Sequence, residues 1–85
     1  MNICGSVALV SGANRGLGRA FARDLVRRGA AKVYGAARDP AAVTEPGVLP
    51  VALDITDGEQ VARVAAQCSD VSLLVNNAGA LVKVL

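Results

Sequence analysis

The stretch Ser6-Val7-Ala8-Leu9-Val10-Ser11-Gly12-Ala13-Asn14-Arg15-Gly16-Leu17-Gly18 decides the fold of this 85-residue chain. Ser6 to Ser11 is short, apolar and β-branched, and glycine bounds it on both sides, which reads as a buried strand. Three glycines follow within seven residues and make a turn. Helical periodicity begins at once: Leu17, Phe21 and Leu25 repeat at i+4, Ala20 and Val26 widen the stripe, and Gly29 closes it with a residue able to take the left-handed conformation. A glycine turn between strand and helix presents unpaired backbone N–H groups and the positive end of the helix dipole, a setting that suits a pyrophosphate. Gly12 would make the tight turn, Gly16 would let the backbone approach the phosphates, and Gly18 would allow close helix packing. The spacing G-x-x-x-G-x-G is neither the common G-x-G-x-x-G nor a P-loop, which needs Gly-Lys-Ser/Thr. The glycines alone are also compatible with a plain strand-to-helix turn.

Outward from this unit, Lys32 to Ala37 reads as a second strand, ended by Arg38-Asp39-Pro40, where proline removes a ladder donor. Pro40 to Pro50 is broken again at Pro46-Gly47 and leaves room for a short helical turn or loop. Val51-Ala52-Leu53-Asp54 reads as a third strand. Thr56-Asp57-Gly58-Glu59 matches a capping box with Thr56 as the cap, and Val61, Val64, Ala65 and Cys68 keep the spacing of one helix face. Ser72 to Val75 is the fourth strand, followed by Asn76-Asn77-Ala78-Gly79 and a short apolar tail. Alternation of near-continuous apolar strands with helices predicts an α/β fold with right-handed crossovers. The expectation is half of a doubly wound, Rossmann-type domain occupying residues 1–85, a parallel sheet of four strands in the order 3-2-1-4 with flanking helices.

Length and composition set the remaining bounds. A folded monomer of this size buries only roughly 62% of the surface its unfolded chain exposes, a marginal core, and it leaves no room for a second domain. The chain is 53% hydrophobic and 2% aromatic, so its core is built mostly from alanine and valine, and disorder is excluded. Nine basic and seven acidic residues give a net charge of +2, too small to require a nucleic-acid or membrane partner. With no histidine and two isolated cysteines, Cys4 and Cys68, the usual zinc constellations are excluded and no metal site is expected. The longest uncharged stretch, Met1 to Asn14, lacks a basic leader and is shorter than the roughly 18 apolar residues of a membrane span. A soluble, cytoplasmic protein without a targeting segment is the expectation.

Ser11-Gly12-Ala13-Asn14-Arg15-Gly16-Leu17-Gly18 closely resembles the Thr-Gly-x-x-x-Gly-x-Gly signature of the short-chain dehydrogenases/reductases, with Ser11 replacing the commoner threonine. Leu53-Asp54-Ile55 is similar to that family's acidic adenine-pocket position, and Val75-Asn76-Asn77-Ala78-Gly79 to its Asn-Asn-Ala-Gly motif. The three motifs stand in the family's order and span almost the whole chain. The resemblance implies roles by position. Gly12, Gly16, Leu17 and Gly18 would line the pyrophosphate, and Asn14 and Arg15 would reach toward the adenosine ribose. Asp54 would accept a hydrogen bond from the adenine amino group, with Ile55 beside the ring. Asn77 would tie neighbouring strands together, and Asn76, Ala78 and Gly79 would wall the cofactor riboses. Without the resemblance, Asp54 reads equally as a polar strand end capping its loop.

Cofactor preference follows from charge. An acid ending the second strand binds a ribose 2′-hydroxyl and repels a 2′-phosphate, whereas arginine there bonds the phosphate. The expected place of the acid is Ala37, Arg38 follows it, and Arg15 sits across the same pocket, so NADP(H) is the expected cofactor. Asp39 is the one discordant residue, and its position suggests that it points past the ribose. Arg15, Arg19, Arg23 and Arg27 recur every fourth residue, a stripe that reads either as a solvated helix face, with Asp24 and Arg28 as an i,i+4 pair, or as a phosphate-binding face for nucleic acid.

The family implies a catalytic tyrosine with a lysine four residues on, both well beyond the Asn-Asn-Ala-Gly motif. The single tyrosine, Tyr34, lies in the second strand and is followed four residues later by Arg38, and the chain stops six residues after Gly79. No catalytic residue is therefore assigned. The expectation is the truncated NADP(H)-binding portion of a reductase that transfers hydride to a carbonyl or from an alcohol, inactive alone. The alternative is a non-catalytic Rossmann-like interaction module, associating with another subunit or a second copy through an open fourth-strand edge. Arg38→Asp is expected to shift cofactor preference from NADPH toward NADH. An unchanged ratio of the two dissociation constants would remove Arg38 from the pocket.

Overall fold

The computed structural model describes residues 3–14, 16–54, 56–76 and 81–84. The chain runs β1 (Val7–Ser11), α1 (Gly16–Arg27), β2 (Lys32–Ala37), a single 3₁₀ turn (Pro40–Ala42), β3 (Leu49–Ala52), α2 (Gly58–Gln67), β4 (Leu73–Asn76) and β5 (Leu81–Val84). The sheet order is β3-β2-β1-β4-β5. Strands 1 to 4 are parallel, with Ala8 opposite Val33 and Leu73, so the 3-2-1-4 half of a doubly wound sheet is present.

Period-2 alternation along β1 and β2 divides the core between the two faces of the sheet. Ala8, Val10, Val33 and Ala37 join Leu73 and Val75 of β4 under α1, where Ala22 and Leu25 of the helix and Val43 and Val48 of the β2–β3 segment complete the cluster. Leu9 and Ala36 face the other way and meet Val64 and Cys68, with Tyr34, Val51, Leu53, Val71 and Leu74 packed partly against them. The α1 face is therefore sealed by alanines together with valines and leucines, each buried valine or leucine contributing ~1.5–3 kcal/mol. The α2 face is thinner. Between α2 and the sheet lies an apolar groove of about 490 Å³ lined by Leu9, Leu53, Val61, Val64, Val71 and Leu74 among others.

Three expectations are corrected. The third strand is Leu49–Ala52, not 51–54, and it admits Pro50 because β3 is an edge strand; Leu53 adds one further bond to Ala37 O at 2.8 Å. Asp57, not Thr56, caps α2, its carboxylate accepting from the N–H groups of Glu59 and Gln60. Thr56 is taken out of the competition because its hydroxyl donates to Asp54 Oδ1 at 2.7 Å. The tail expected after the fourth strand contains β5, paired antiparallel to β4 with Leu73 opposite Val84. The β4 edge is therefore covered, not open. Leu81, Val82 and Val84 suit a strand, and β4 supplies unpaired backbone groups for them to satisfy.

Gly35 shows how tightly the α1 face is filled. A Cβ placed there would meet Val48 Cγ1 at 2.6 Å, Val43 Cγ1 at 2.8 Å and Ala13 Cβ at 3.1 Å. These atoms belong to buried side chains that have nowhere to move, so Gly35→Ala is expected to destabilise the fold by about 1–3 kcal/mol. Urea unfolding followed by circular dichroism checks this, and an unchanged midpoint would show that the β2–β3 segment is not packed against the sheet as described.

Candidate functional site

The parallel strands place four chain segments at one end of the sheet. Ser11 to Asn14 leave β1, Arg38 follows β2, Asp54 follows β3, and Asn76 ends β4. Strands β1 and β4 are neighbours although a long stretch of chain separates them, so the crevice above them is the switch point at which doubly wound sheets take their ligands.

The turn from β1 into α1 is built on two positive backbone angles, φ +66° at Gly12 and +58° at Gly16. An L side chain rarely adopts either. A Cβ at Gly16 would meet nothing within 4 Å, so the strain of a substitution there is conformational and the space above the helix start is open. Ala13 is buried and its N–H donates to Ala36 O at 3.2 Å, tying the turn to the end of β2. The Ser11 hydroxyl donates to Val75 O at 3.5 Å, linking β1 to β4 just below the crevice. Gly18 is buried within α1, whereas Leu17 at the helix start is 58% exposed, an apolar surface presented at the mouth of the site. Asn14 is half-buried in the turn.

Asp54 stands where β3 gives way to α2. Its Oδ1 accepts from the Thr56 hydroxyl at 2.7 Å and the Thr56 N–H at 3.0 Å, and its own N–H donates to Gln60 Oε1 at 2.8 Å. These two Thr56 bonds, with a smaller contribution from Arg38, hold its carboxyl below the usual carboxylate range. Asp54 is therefore an acceptor at neutral pH. The Arg38 side chain is 78% exposed, with Nε 3.9 Å from Asp54 Oδ1, so a cation and an acceptor share one rim of the crevice. Asp39, the discordant acid beside Arg38, is occupied: its Oδ1 accepts from Ala41 N–H at 3.0 Å and caps the 3₁₀ turn. Gly12, Asn14, Gly16, Leu17, Gly18, Arg38 and Asp54 thus come to one end of the sheet. Asn76 is described only as the end of β4, and Arg15, Ile55, Asn77, Ala78 and Gly79 lie outside the described residues.

Tyr34 is elsewhere. Its hydroxyl donates to Asp70 at 3.2 Å, and Lys32 Nζ, 2.8 Å from the same carboxylate, completes a surface cluster toward the other end of the sheet. Both hydrogen bonds pull the Asp70 carboxyl below its usual range, that from Lys32 the more strongly.

Two residues that brace the neighbouring segments escape a reading of motifs. Gln60 anchors the backbone of Asp54 from the first turns of α2. Glu45 is buried, its side chain 7% exposed, and its carboxylate is held by Arg19 and Arg23 of α1. Its signal in the sequence is that it is the sole charge between Pro40 and Leu53, opposite a basic helix stripe that has no acid of its own at those positions.

The comparisons with known proteins agree with this geometry. The family model for short chain dehydrogenase matches residues 6–84. The chain is similar to the sorbitol dehydrogenase of Cereibacter sphaeroides, 40% identical over 87 residues that cover 92% of this chain and 34% of that protein. It is 39% identical over 88 residues to the 3-oxoacyl-acyl-carrier-protein reductase FabG of Vibrio harveyi, covering 93% of this chain and 36% of the relative. Among solved structures, a short chain dehydrogenase from Burkholderia cenocepacia J2315 in complex with NADP superimposes with a TM-score of 0.86 at 48% identity, over 91% of this chain and 33% of that one. The chain spans about a third of the length of these relatives. Because that family model spans nearly the whole chain, the chain belongs to the short chain dehydrogenase family.

Proposed function

We propose that this chain is the NADP(H)-binding portion of a short-chain dehydrogenase/reductase whose whole protein transfers hydride between NADP(H) and a carbonyl or alcohol. The observation that carries the reading is the crevice over β1 and β4, where an open glycine turn at a helix start faces a rim bearing Arg38 and no uncommitted acid at the end of β2.

The residues present fit the cofactor. The positive φ angles of Gly12 and Gly16 make the turn into α1, whose first N–H groups would hold a pyrophosphate with the helix dipole adding to the attraction. Leu17, exposed at the helix start, would offer apolar surface beside it. Asp54, fixed through Thr56 and Gln60, would accept from the adenine amino group. Arg38 would meet a 2′-phosphate through charge-assisted bonds, and Asp39 would not oppose it because its carboxylate accepts from Ala41 N–H. Arg15, Ile55, Asn76, Asn77, Ala78 and Gly79 keep the roles that the family resemblance gives them. When bound, NADP(H) supplies the hydride chemistry. Within these 85 residues no Tyr-x-x-x-Lys pair is encoded, and Tyr34 is committed to Asp70, so the chain by itself holds and orients the cofactor without turning it over. A positioned acid/base typically contributes 10²–10⁴-fold. A cytoplasmic setting goes with this proposal, and no helix among the described residues is long and apolar enough to cross a membrane.

The second reading, a non-catalytic module that pairs with another subunit, is favoured by the apolar groove beside α2, the β4 edge being occupied by β5. Nucleic acid is disfavoured, because Glu45 engages Arg19 and Arg23 while Asp24 engages Arg28. Fluorescence titration of the purified chain with NADPH is expected to saturate below millimolar concentration, with no NADPH oxidation on adding carbonyl substrates. No saturation at millimolar cofactor would defeat the proposal, and an obligate dimer in analytical ultracentrifugation would favour the module.

A further inference from the structure

Glu45 is the one acidic side chain buried among the described residues. Its oxygens are taken separately, Oε2 by Arg19 Nε at 3.3 Å and Oε1 by Arg23 Nε, one turn further along α1. The Arg23 hydrogen bond is the larger influence holding its carboxyl below the usual range, with Arg19 adding to it, so the group is an anion at neutral pH.

The segment that carries Glu45 also carries Arg38. Between them the chain is two tight turns in series. In the first, Ala42 N–H donates to Asp39 O at 3.0 Å and Val43 N–H to Pro40 O at 3.1 Å. In the second, Val48 N–H donates to Glu45 O at 3.2 Å across Pro46 and Gly47, the latter at φ +83°. Thr44 alone separates the two turns, and two prolines stiffen them. A displacement at Glu45 is therefore passed to Arg38 rather than absorbed between them.

Two kinds of contact hold this stiff piece against α1. Val43 and Val48 are buried under the helix, and Gly47 lies close enough to Val26 that a Cβ would come within 3.1 Å of Val26 Cγ1. Apolar burial fixes how deep the segment sits but is non-directional. The carboxylate, shared between arginines one turn apart, is directional and fixes the position of the segment along the helix axis. Arg19 lies in the first turn of α1, three residues from Gly16. The axial position that Glu45 sets is thus measured from the helix start that faces the pyrophosphate.

We propose that Glu45 is a positioning residue for cofactor selection: its contact with Arg19 and Arg23 fixes where Arg38 stands relative to the start of α1, and so the discrimination between a ribose carrying a 2′-phosphate and one carrying a 2′-hydroxyl. The inference rests on the NADP(H)-binding reading given above. Glu45 touches no part of the cofactor and acts through Arg38.

The test is the ratio of NADH to NADPH dissociation constants, by fluorescence titration of the 85-residue chain and its Glu45→Gln, Glu45→Asp and Arg23→Gln variants, with thermal melts alongside. Glu45→Gln is expected to weaken NADPH about tenfold, about 1.4 kcal/mol, and to change NADH less than about twofold. Glu45→Asp, which keeps the carboxylate, is expected to recover part of the preference. Arg23→Gln alters an exposed helix position, keeps the chain folded if Glu45→Gln does not, and is expected to lower the ratio about threefold, about 0.65 kcal/mol. A purely structural role would lower the melting temperature and leave the ratio unchanged, and an unchanged ratio in the folded variants overturns the inference. A wild-type chain that binds neither nucleotide overturns the NADP(H) reading and this inference together. A wild-type preference that survives in the variants overturns the inference alone.

Discussion

The passage from β1 into α1 requires positive φ at Gly12 and Gly16, and most of the molecule depends on that turn. It sets the direction in which α1 leaves the sheet, and hence which strand residues the helix covers. Because the helix starts above the switch point, Arg38 and Asp54, carried there by β2 and β3, face the same space. A side chain at either glycine would strain the backbone there, and both the packing of α1 and the presentation of its first N–H groups would suffer. One constraint thus serves the core and the site.

The two faces of the sheet are not equivalent. Under α1 the fit is close enough that Gly35 cannot take a methyl group, and the β2–β3 segment is held by Val43, Val48 and the Glu45 contact. Under α2 the helix meets the sheet through Val64 and Cys68 and leaves an apolar groove. Cys68 at that junction has its thiol pushed up mainly by burial, so it packs as a small apolar group. The more closely packed half of the structure is therefore the half that shapes the glycine turn and carries Arg38. The carboxylates of Glu45, Asp54 and Asp70 are each held below their usual range by bonds made only in the fold. Their contribution to stability is present above the ordinary carboxylate range, roughly 4, and is lost as pH falls through their lowered values.

Much of this was legible in the residues because burial leaves a periodic trace. The alternation in β1 and β2, the i+4 repeat of Leu17, Phe21 and Leu25, and the glycine spacing locate the turn and the strand order. That Gly12, Asn14, Arg38 and Asp54 share one end of the sheet follows because they lie beside the ends of parallel strands. What the pattern hides is competition between neighbours. Thr56 and Asp57 are both good caps, and only the Thr56 bond to Asp54 decides for Asp57. Asp39 looks like a rival to Arg38 until the 3₁₀ turn claims its carboxylate. The bounds of β3 slip because Pro50 is acceptable only on an edge, and β5 is invisible until β4 offers it backbone partners. Glu45 pairs with arginines 22 and 26 residues away, a distance no local pattern reports.

On the proposed reading the glycine turn would grip the pyrophosphate while Arg38 would read the 2′ position. Backbone amide chemical shifts of the chain, recorded during addition of NADPH and then of NADH, test it most directly. Both nucleotides are expected to move Gly12, Asn14, Gly16, Leu17 and Gly18 most, with Asp54 following, and Arg38 is expected to move with NADPH but little with NADH. Shifts confined to Val61, Val64 and Ala65 beside the α2 groove, with the glycine turn unmoved, would contradict it.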